Sequence, residues 1–379
     1  MKVAAIIAEY NPFHNGHKYH IEQTRAITGA THVVVVMSGN FTQRGDVAIL
    51  PKHIRAKAAL EGGADLVAEL PVAFALSSAE QFATGAVSLL NSLNCVDVLS
   101  FGSECGDVEQ LKEAAGAVHY AQTTDEFFTA MKRGKTYPAA LQAAVEEYYS
   151  EDIVDILTSP NNTLAVEYIK ALNESGSSMT PFTVKRIGAG HDEHTENTDE
   201  EFMCASQIRK AMLLSETGCA DIQELETAIL AKLRMMSIKE INKAPNVNGG
   251  LENRIYKAAR AARSLTELYF LVKTKRYTLA RIRRAVLCCF LGITQGDVKL
   301  GVQYVRILGM NNKGKEILAA GSKADLSVPI DTSLAALMKK SDNAKRQAIT
   351  EERCTNIYSL AFEKKQVCGK DFTEKVVLL

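Results

Sequence analysis

The sequence predicts a doubly wound α/β domain followed by a mostly α-helical C-terminal domain, and three observations carry that expectation. Over the first hundred residues, short runs that are apolar on both faces alternate with amphipathic helical segments. After about residue 215 the strand signals nearly vanish and helical spacing takes over. The chain has 379 residues, more than one core usually serves, so two domains are expected.

The elements follow in order. Val3–Ala8 reads as the first strand, and residues 32–37, with four consecutive valines, as the second; 64–70 and 96–101 come next. Helical spacing falls at 17–28, 52–62 and 78–94. Such strands separated by helices imply a parallel sheet covered on both sides, with its ligand beyond the carboxyl ends of the strands at a switch in strand order. Residues 107–157 read as mostly helical. Ser159-Pro160-Asn161-Asn162 reads as a turn with an Asn cap, opening a helix over 163–172. A strand at 182–187 precedes the polar stretch 188–202, expected to be a mobile loop, and Ala205 opens a further helix. The expected division is 1–217 and 218–379.

Composition is that of an ordinary globular protein, at 46% hydrophobic and 23% charged. The net charge is zero but unevenly spread. Between Lys232 and Arg284 there are 14 Lys/Arg against three acids, a net of +11, so the remainder carries about −11. That split suggests a basic face meeting a polyanion. No cleavage-site pattern opens the chain and no stretch approaches about 18 apolar residues, so no membrane is expected and the location is read as cytoplasmic. The eight Cys, at 95, 105, 204, 219, 288, 289, 354 and 368, show no CxxC pair or zinc spacing and read as core residues.

The chemistry concentrates in residues 3–27. The first strand delivers the chain to Glu9-Tyr10-Asn11-Pro12-Phe13, and a helix begins near Gly16, whose missing side chain lets a ligand approach. Backbone N–H groups and the dipole at a helix start favour a phosphate. His14 and His17, three apart, can converge on one phosphoryl group, with Lys18 or His20 adding to the field. A bare pair of histidines near a helix start more often caps it; the buried strand before it and the helix after it turn the reading toward nucleotide. Zinc is disfavoured, since the two-histidine zinc helix needs i, i+4 spacing and a nearby Glu. No residues declare a metal site.

Further along, Arg254, Lys257, Arg260 and Arg263 recur at intervals of three. Lys273, Lys275, Arg276 and Tyr277, then Arg281, Arg283 and Arg284, form a second cluster. A charge run is commonly a solvated helix face, but so few compensating acids and an aromatic in the cluster suit phosphate contacts and base stacking on folded RNA.

The run IIAEYNPFHNGHKYH (6–20) resembles the signature of the HxGH nucleotidyltransferase superfamily, which includes the coenzyme adenylyltransferases. The resemblance implies that Ile7, Ala8, Glu9, Tyr10, Asn11, Pro12, Phe13, His14, Asn15, Gly16, His17, Lys18, Tyr19 and His20 line an ATP site. Ala205-Ser206-Gln207-Ile208-Arg209 resembles the superfamily's second element, with Gln207 where a hydroxyl residue is more usual; it implies that Ser206 and Arg209 meet the β- and γ-phosphates. Longer segments, 37–71, SFGSE (100–104), PNNTLAVEYI (160–169), KRIGAGHD (185–192) and the basic stretch, are similar to one family, the bacterial tRNA(Met) cytidine acetate ligases. That similarity runs over essentially the whole chain.

It implies an enzyme that activates acetate with ATP and then acetylates N4 of the wobble cytidine of elongator tRNA(Met), releasing AMP and pyrophosphate. His14 and His17 would serve the adenylation, and Gly102, Asn162 and Arg186 would lie at the ATP. The Gly-rich stretch 38–46, at the carboxyl end of the second strand, would hold acetate or cytosine, with Asp46 accepting a proton from N4. Each has a plainer alternative: a strand-end turn for Gly102, a helix cap for Asn162, a solvated charge for Arg186, an Asp cap for Asp46. ATP is expected as substrate, with Mg²⁺. Two other functions remain open at this point: a small-molecule coenzyme adenylyltransferase, which the basic region argues against, and a non-catalytic RNA-binding protein, which His14 and His17 argue against.

Overall fold

The computed structural model describes residues 1–186, 205–215, 218–322 and 327–379. Strands β1 (Val3–Ala8) and β2 (His32–Ser38) pair in parallel from Val3↔His32 to Ala8↔Met37. Both are buried along almost their whole length, which is why their sequences show no polar face. A small antiparallel hairpin follows β2, made of β3 (Phe41–Thr42) and β4 (Asp46–Val47). Strand β5 (Leu66–Leu70) lies parallel beside β2, β6 (Val98–Ser103) parallel beside β1, and β7 (Thr180–Lys185) parallel beside β6. The order therefore reverses at β1, and the crevice between β1 and β6 opens at their carboxyl ends.

Helices cover both faces. Alternate residues of the strands, such as Ala5, Ile7, Val34 and Val36, pack under the helices Ala79–Asn91, Val108–Ala121 and Pro160–Glu174. The intervening residues Ile6, Val33, Val35 and Met37 pack with Ile21 of Asn15–Thr28 and Ala56, Ala59 and Leu60 of Lys52–Glu61. Each fully buried aliphatic side chain contributes roughly 1.5–3 kcal/mol. The doubly wound reading is thus correct.

The expectation of helices from 215 to the end needs correction. Among the described residues the sheet has eight strands, and three come from this part. Strand β8 (Val305–Met310) runs antiparallel to β5, while β9 (Ile330–Asp331) and β10 (Val377–Leu378) flank β8. Its sequence VRILGM carries Arg306 and Gly309, which break the apolar signature of a buried strand. Arg306 is nevertheless only 2% exposed, because an ion cluster receives it. Lys52 Nζ lies 2.6 Å from both Glu69 Oε1 and Asp371 Oδ1, and Arg306 Nη1 lies 2.5 Å from Asp371 Oδ1 and 3.2 Å from Glu69 Oε2. Two cations and two carboxylates so fasten the end of the chain to the sheet.

The rest of this part is helical. Glu226–Met235, Leu251–Ala261, Leu265–Val272 and Leu279–Leu291 surround their own apolar core, with Leu233, Ile255, Leu268 and Val286 at its centre. Cys219, Cys288, Cys289 and Cys354 are buried, Cys95 and Cys105 half-buried and Cys368 exposed; Cys204 lies outside the described residues. The 188–202 stretch also lies outside them. Among the described residues no helix is long and apolar enough to cross a membrane.

Candidate active site

β1 ends at Ala8, and residues 9–14 turn into the helix Asn15–Thr28. His14, not a residue nearer Gly16, is the N-cap. Its Nδ1 accepts the N–H of Gly16 at 3.1 Å, and its own N–H donates to His17 Nδ1 at 3.2 Å. This is a capping box built from two histidines, their rings stacked 3.7 Å apart. A neutral imidazole whose Nδ1 accepts must carry its proton on Nε2. Each ring therefore presents an Nε2–H donor at the helix start, whose dipole adds partial positive charge. The His14 ring also lies over Gly16, where a Cβ would sit 3.0 Å from His14 Cε1. Tyr10 (4.7 Å between ring centroids) and Phe13 (5.6 Å) hold the His17 ring from its other sides.

Burial, then Arg186 and Arg209, pushes His14 down to about 4; burial, then His14, His20 and Arg186, puts His17 well below its ordinary value. His20 is also lowered to about 4, by burial and then Arg186, and its Nε2 lies 3.0 Å from Ser100 Oγ on β6. The rings are thus neutral donors near neutral pH, and the fixed charges acting on them are guanidinium groups. That field suits an anion.

Residues far apart in sequence meet here. Arg186, just past β7, donates its backbone N–H to Ser103 O at 2.9 Å and lays its side chain over Gly102, with Cγ 3.5 Å from where a Cβ would stand. Arg209 Nη1 donates to Asn11 O at 2.8 Å, bringing the helix Ala205–Ser215 onto the turn. Asn11 Oδ1 in turn accepts the N–H of Ile49 at 2.8 Å. His14, His17, His20, Gly102, Arg186 and Arg209 therefore share one crevice at the carboxyl ends of β1 and β6.

Other expected residues stand elsewhere. Ile7 is part of the sheet core, Pro12 is buried, Tyr19 is half-buried, and Asn15 and Ser206 are exposed at their helix starts. Lys18 is exposed and pairs with Glu22 at 4.0 Å. Glu9 Oε1 accepts the N–H of Gln43 at 2.6 Å, tying the turn to the hairpin. Asn162 is neither at the N-cap, which is Ser159, nor exposed. Its Oδ1 accepts the N–H groups of Glu104 (2.8 Å) and Cys105 (3.2 Å), while Glu104 Oε2 accepts the N–H of Asn162 at 2.9 Å. This clasp shapes the loop after β6.

Asp46 sits on β4, half-buried, with Oδ1 accepting the Val47 N–H at 2.8 Å. Burial raises its carboxyl, opposed by that N–H and by Arg283 and Arg209. The basic residues divide. Lys257, Arg260, Lys273, Lys275 and Arg276 are exposed, and Arg254, Arg281 and Arg283 are half-buried. Several also close helix ends: Arg254 donates to Leu271 O and Val272 O, and Arg260 to Arg234 O and Met236 O. Arg284 must be corrected. It is 8% exposed and donates to Gln43 O at 2.8 Å, so it braces the hairpin and cannot reach an RNA phosphate.

Sequence reasoning missed Arg55. Fully buried, it donates to the carbonyls of Glu9 (2.7 Å), Ser38 (3.0 Å), Leu50 (2.9 Å) and Gly39, drawing together the chain after β1 and β2. Its only sequence signal is a charged residue on the buried side of an Ala-rich helix.

Fold and site together define a nucleotidyl transferase of the HxGH class, and the model of the HIGH Nucleotidyl Transferase family matches residues 1–222 and 212–372. The chain is 38% identical to the tRNA(Met) cytidine acetate ligase of Acetivibrio thermocellus over 419 residues, covering all of both chains, and 38% identical to that of a Thermoanaerobacter species over 410 residues, again covering both. The crystal structure of Thermotoga maritima TmcAL bound with alpha-thio ATP superposes with a TM-score of 0.90 at 31% identity, and its apo form with 0.91 at 32%, each over the full length of both chains. The chain belongs to the tRNA(Met) cytidine acetate ligase family.

Proposed function

We propose that this chain activates acetate with ATP and acetylates N4 of the wobble cytidine of elongator tRNA(Met). The observation that carries the reading is the convergence of the His14/His17 donors with Arg186 and Arg209 in one crevice, 198 residues separating Arg209 from the Asn11 carbonyl it holds. Full-length similarity to ligases of this name, and to a relative solved with an ATP analogue, supports the same substrate.

In the first step an acetate oxygen bonds to the α-phosphorus and the bond to pyrophosphate breaks. His14 and His17 Nε2–H groups donate to the phosphate oxygens on which charge grows, while Arg209 and Arg186 balance it. The turn from Glu9 to His14 and the helix start through His17 form the wall of the ATP site, with Ser206 beside the outer phosphates and Gly102, with Asn162 behind it, beside adenosine. In the second step N4 bonds to the acetyl carbon, the bond to AMP breaks and Asp46 takes the N4 proton. Among the described residues no group of three or more His, Cys, Asp or Glu is placed to hold a metal. Mg²⁺ would accompany the triphosphate and screen its charge.

Residues 1–217, their sheet extended by the strands β8, β9 and β10, act as the catalytic domain in this reading. Within 218–379, Arg254, Lys257, Arg260, Lys273, Lys275, Arg276, Arg281 and Arg283 supply the tRNA face, and the enzyme works in the cytoplasm. Incubation with ATP, labelled acetate and elongator tRNA(Met) tests it. Label is expected in tRNA, with AMP and pyrophosphate released in step; tRNA binding without acetate-dependent ATP turnover would overturn it.

A further inference from the structure

The hairpin β3–β4 stands between the crevice and the helix Leu279–Leu291, and it is fixed from both sides. The peptide of Gln43 is bonded at each end, its N–H to Glu9 Oε1 (2.6 Å) and its carbonyl to Arg284 Nη1 (2.8 Å). Gly45, at φ +76°, lies so close to the helix that a Cβ would come within 2.6 Å of Arg283 Cβ and of the Arg284 nitrogen. Asp46, the next residue, therefore lies on the part of the hairpin packed against the helix at Arg283, whose guanidinium lies 5.6 Å from the centre of the Tyr269 ring. Both side chains are half-buried, and the charge of each is felt at the Tyr269 hydroxyl. The hairpin adjoins the turn before His14 through the Gln43–Glu9 bond, and Arg209 bonds the Asn11 carbonyl of the same turn.

We propose that Asp46 and Arg283 read the Watson–Crick edge of the acceptor cytosine and exclude uracil. This rests on the function proposed above and adds to it the residues that choose the base. Cytosine presents a donor at N4 beside acceptors at N3 and O2. A carboxylate beside a guanidinium offers the complementary order, acceptor then donors. Uracil presents O4 where cytosine has N4–H, and N3–H where cytosine has a lone pair. It would set oxygen against the Asp46 carboxylate and N–H against Arg283. A polar group left unpaired in such a setting costs about 1–3 kcal/mol, roughly a tenfold to hundredfold preference. The same contact leaves N4 bonded to the group that takes its proton. Arg283 then belongs to the base-reading site, not to the phosphate-binding face.

The test uses the full chain with two transcripts of elongator tRNA(Met), identical except for C or U at the wobble position, and measures both dissociation constants. The unaltered chain is expected to prefer the C transcript by at least about tenfold. Asp46→Asn, which offers N–H as readily as oxygen, is expected to narrow that preference about tenfold, and Arg283→Gln to narrow it similarly. Arg283→Lys, which keeps charge and donors, should recover part of it. Equal affinity of the unaltered chain for both transcripts overturns the proposal. So does a C-over-U ratio unchanged in Asp46→Asn and Arg283→Gln, even if both bind tRNA more weakly. Should Arg283→Gln melt early, Asp46→Asn alone decides. Acetate-dependent pyrophosphate exchange by the unaltered chain is measured alongside. Its absence would sink the proposed function without touching the measured base preference.

Discussion

At the scale of single residues, His14 does two jobs through different atoms. Its Nδ1 caps the helix by accepting from Gly16, and its Nε2–H remains for a ligand. Replacement by alanine would lose both, so His14→Asn is the informative variant: an Asn oxygen can cap, but no donor reaches where Nε2 stood. Its stability is expected to stay within about 1 kcal/mol of the parent in urea denaturation. Acetate-dependent pyrophosphate exchange is expected to fall about a hundredfold to a thousandfold. Normal exchange would show that the ring is only a cap. Arg284 and Lys275 form a contrasting pair. Arg284→Ala is expected to lower the melting temperature while leaving the slope of log affinity for tRNA against log salt unchanged, because its partner is the Gln43 carbonyl. Lys275→Ala is expected to leave melting unchanged and reduce that slope by roughly 0.7–0.9, the value of one phosphate contact. The reverse pattern would contradict the assignment of either residue.

At the scale of elements, the tail strand β8 and the cluster behind it hold the sheet edge. Lys52 comes from a helix, Glu69 from β5, Arg306 from β8 and Asp371 from a short helix near the chain's end. Their charges balance while burial is nearly complete, so removing one carboxylate strands a cation in the interior. Asp371→Ala is expected to destabilise the chain by about 3–5 kcal/mol in chemical denaturation. A loss below about 1 kcal/mol would mean that water already relieves the cluster.

At the scale of the whole molecule, burial and arginine charge distribute titration. His14 and His20 are lowered to about 4, His17 well below its ordinary value, and His53 to about 4 by burial and then Lys52 and Arg306. Unfolded histidines bind protons below about 6.5, so the unfolded chain takes up more protons than the native one between about pH 4 and 6.5, and these groups remove stability as pH falls. Glu351 works the other way. Burial beside Glu69 raises it to about 8, so its contribution is present at low pH and lost as pH rises from about 4.5 through 8. The parent's melting temperature mixes both signs, and a difference between variants separates them. The melting temperature of His20→Gln minus that of the parent is expected to become more positive between pH 7 and pH 5. A difference constant over that range would contradict the lowered value.

The doubly wound half was legible because its strands are apolar on both faces and its helices are periodic, both local signals. The motif His14-Asn15-Gly16-His17 was legible for the same reason: cap, glycine and donors lie within four residues. What the sequence could not give was every feature made by pairing distant charges. Arg306 reads as a break in a strand until Glu69 and Asp371 neutralise it, and Arg284 reads as part of a basic face until the Gln43 carbonyl takes it inside. Asn162 reads as a cap until Glu104 and Cys105 claim its side chain. The sequence by itself determined the fold class and the histidine-capped helix start after the first strand, since hydrophobic periodicity and helix capping act between near neighbours. Only the tertiary structure decided which charges are buried, because the free energy of a buried charge depends on partners that the chain supplies from hundreds of residues away.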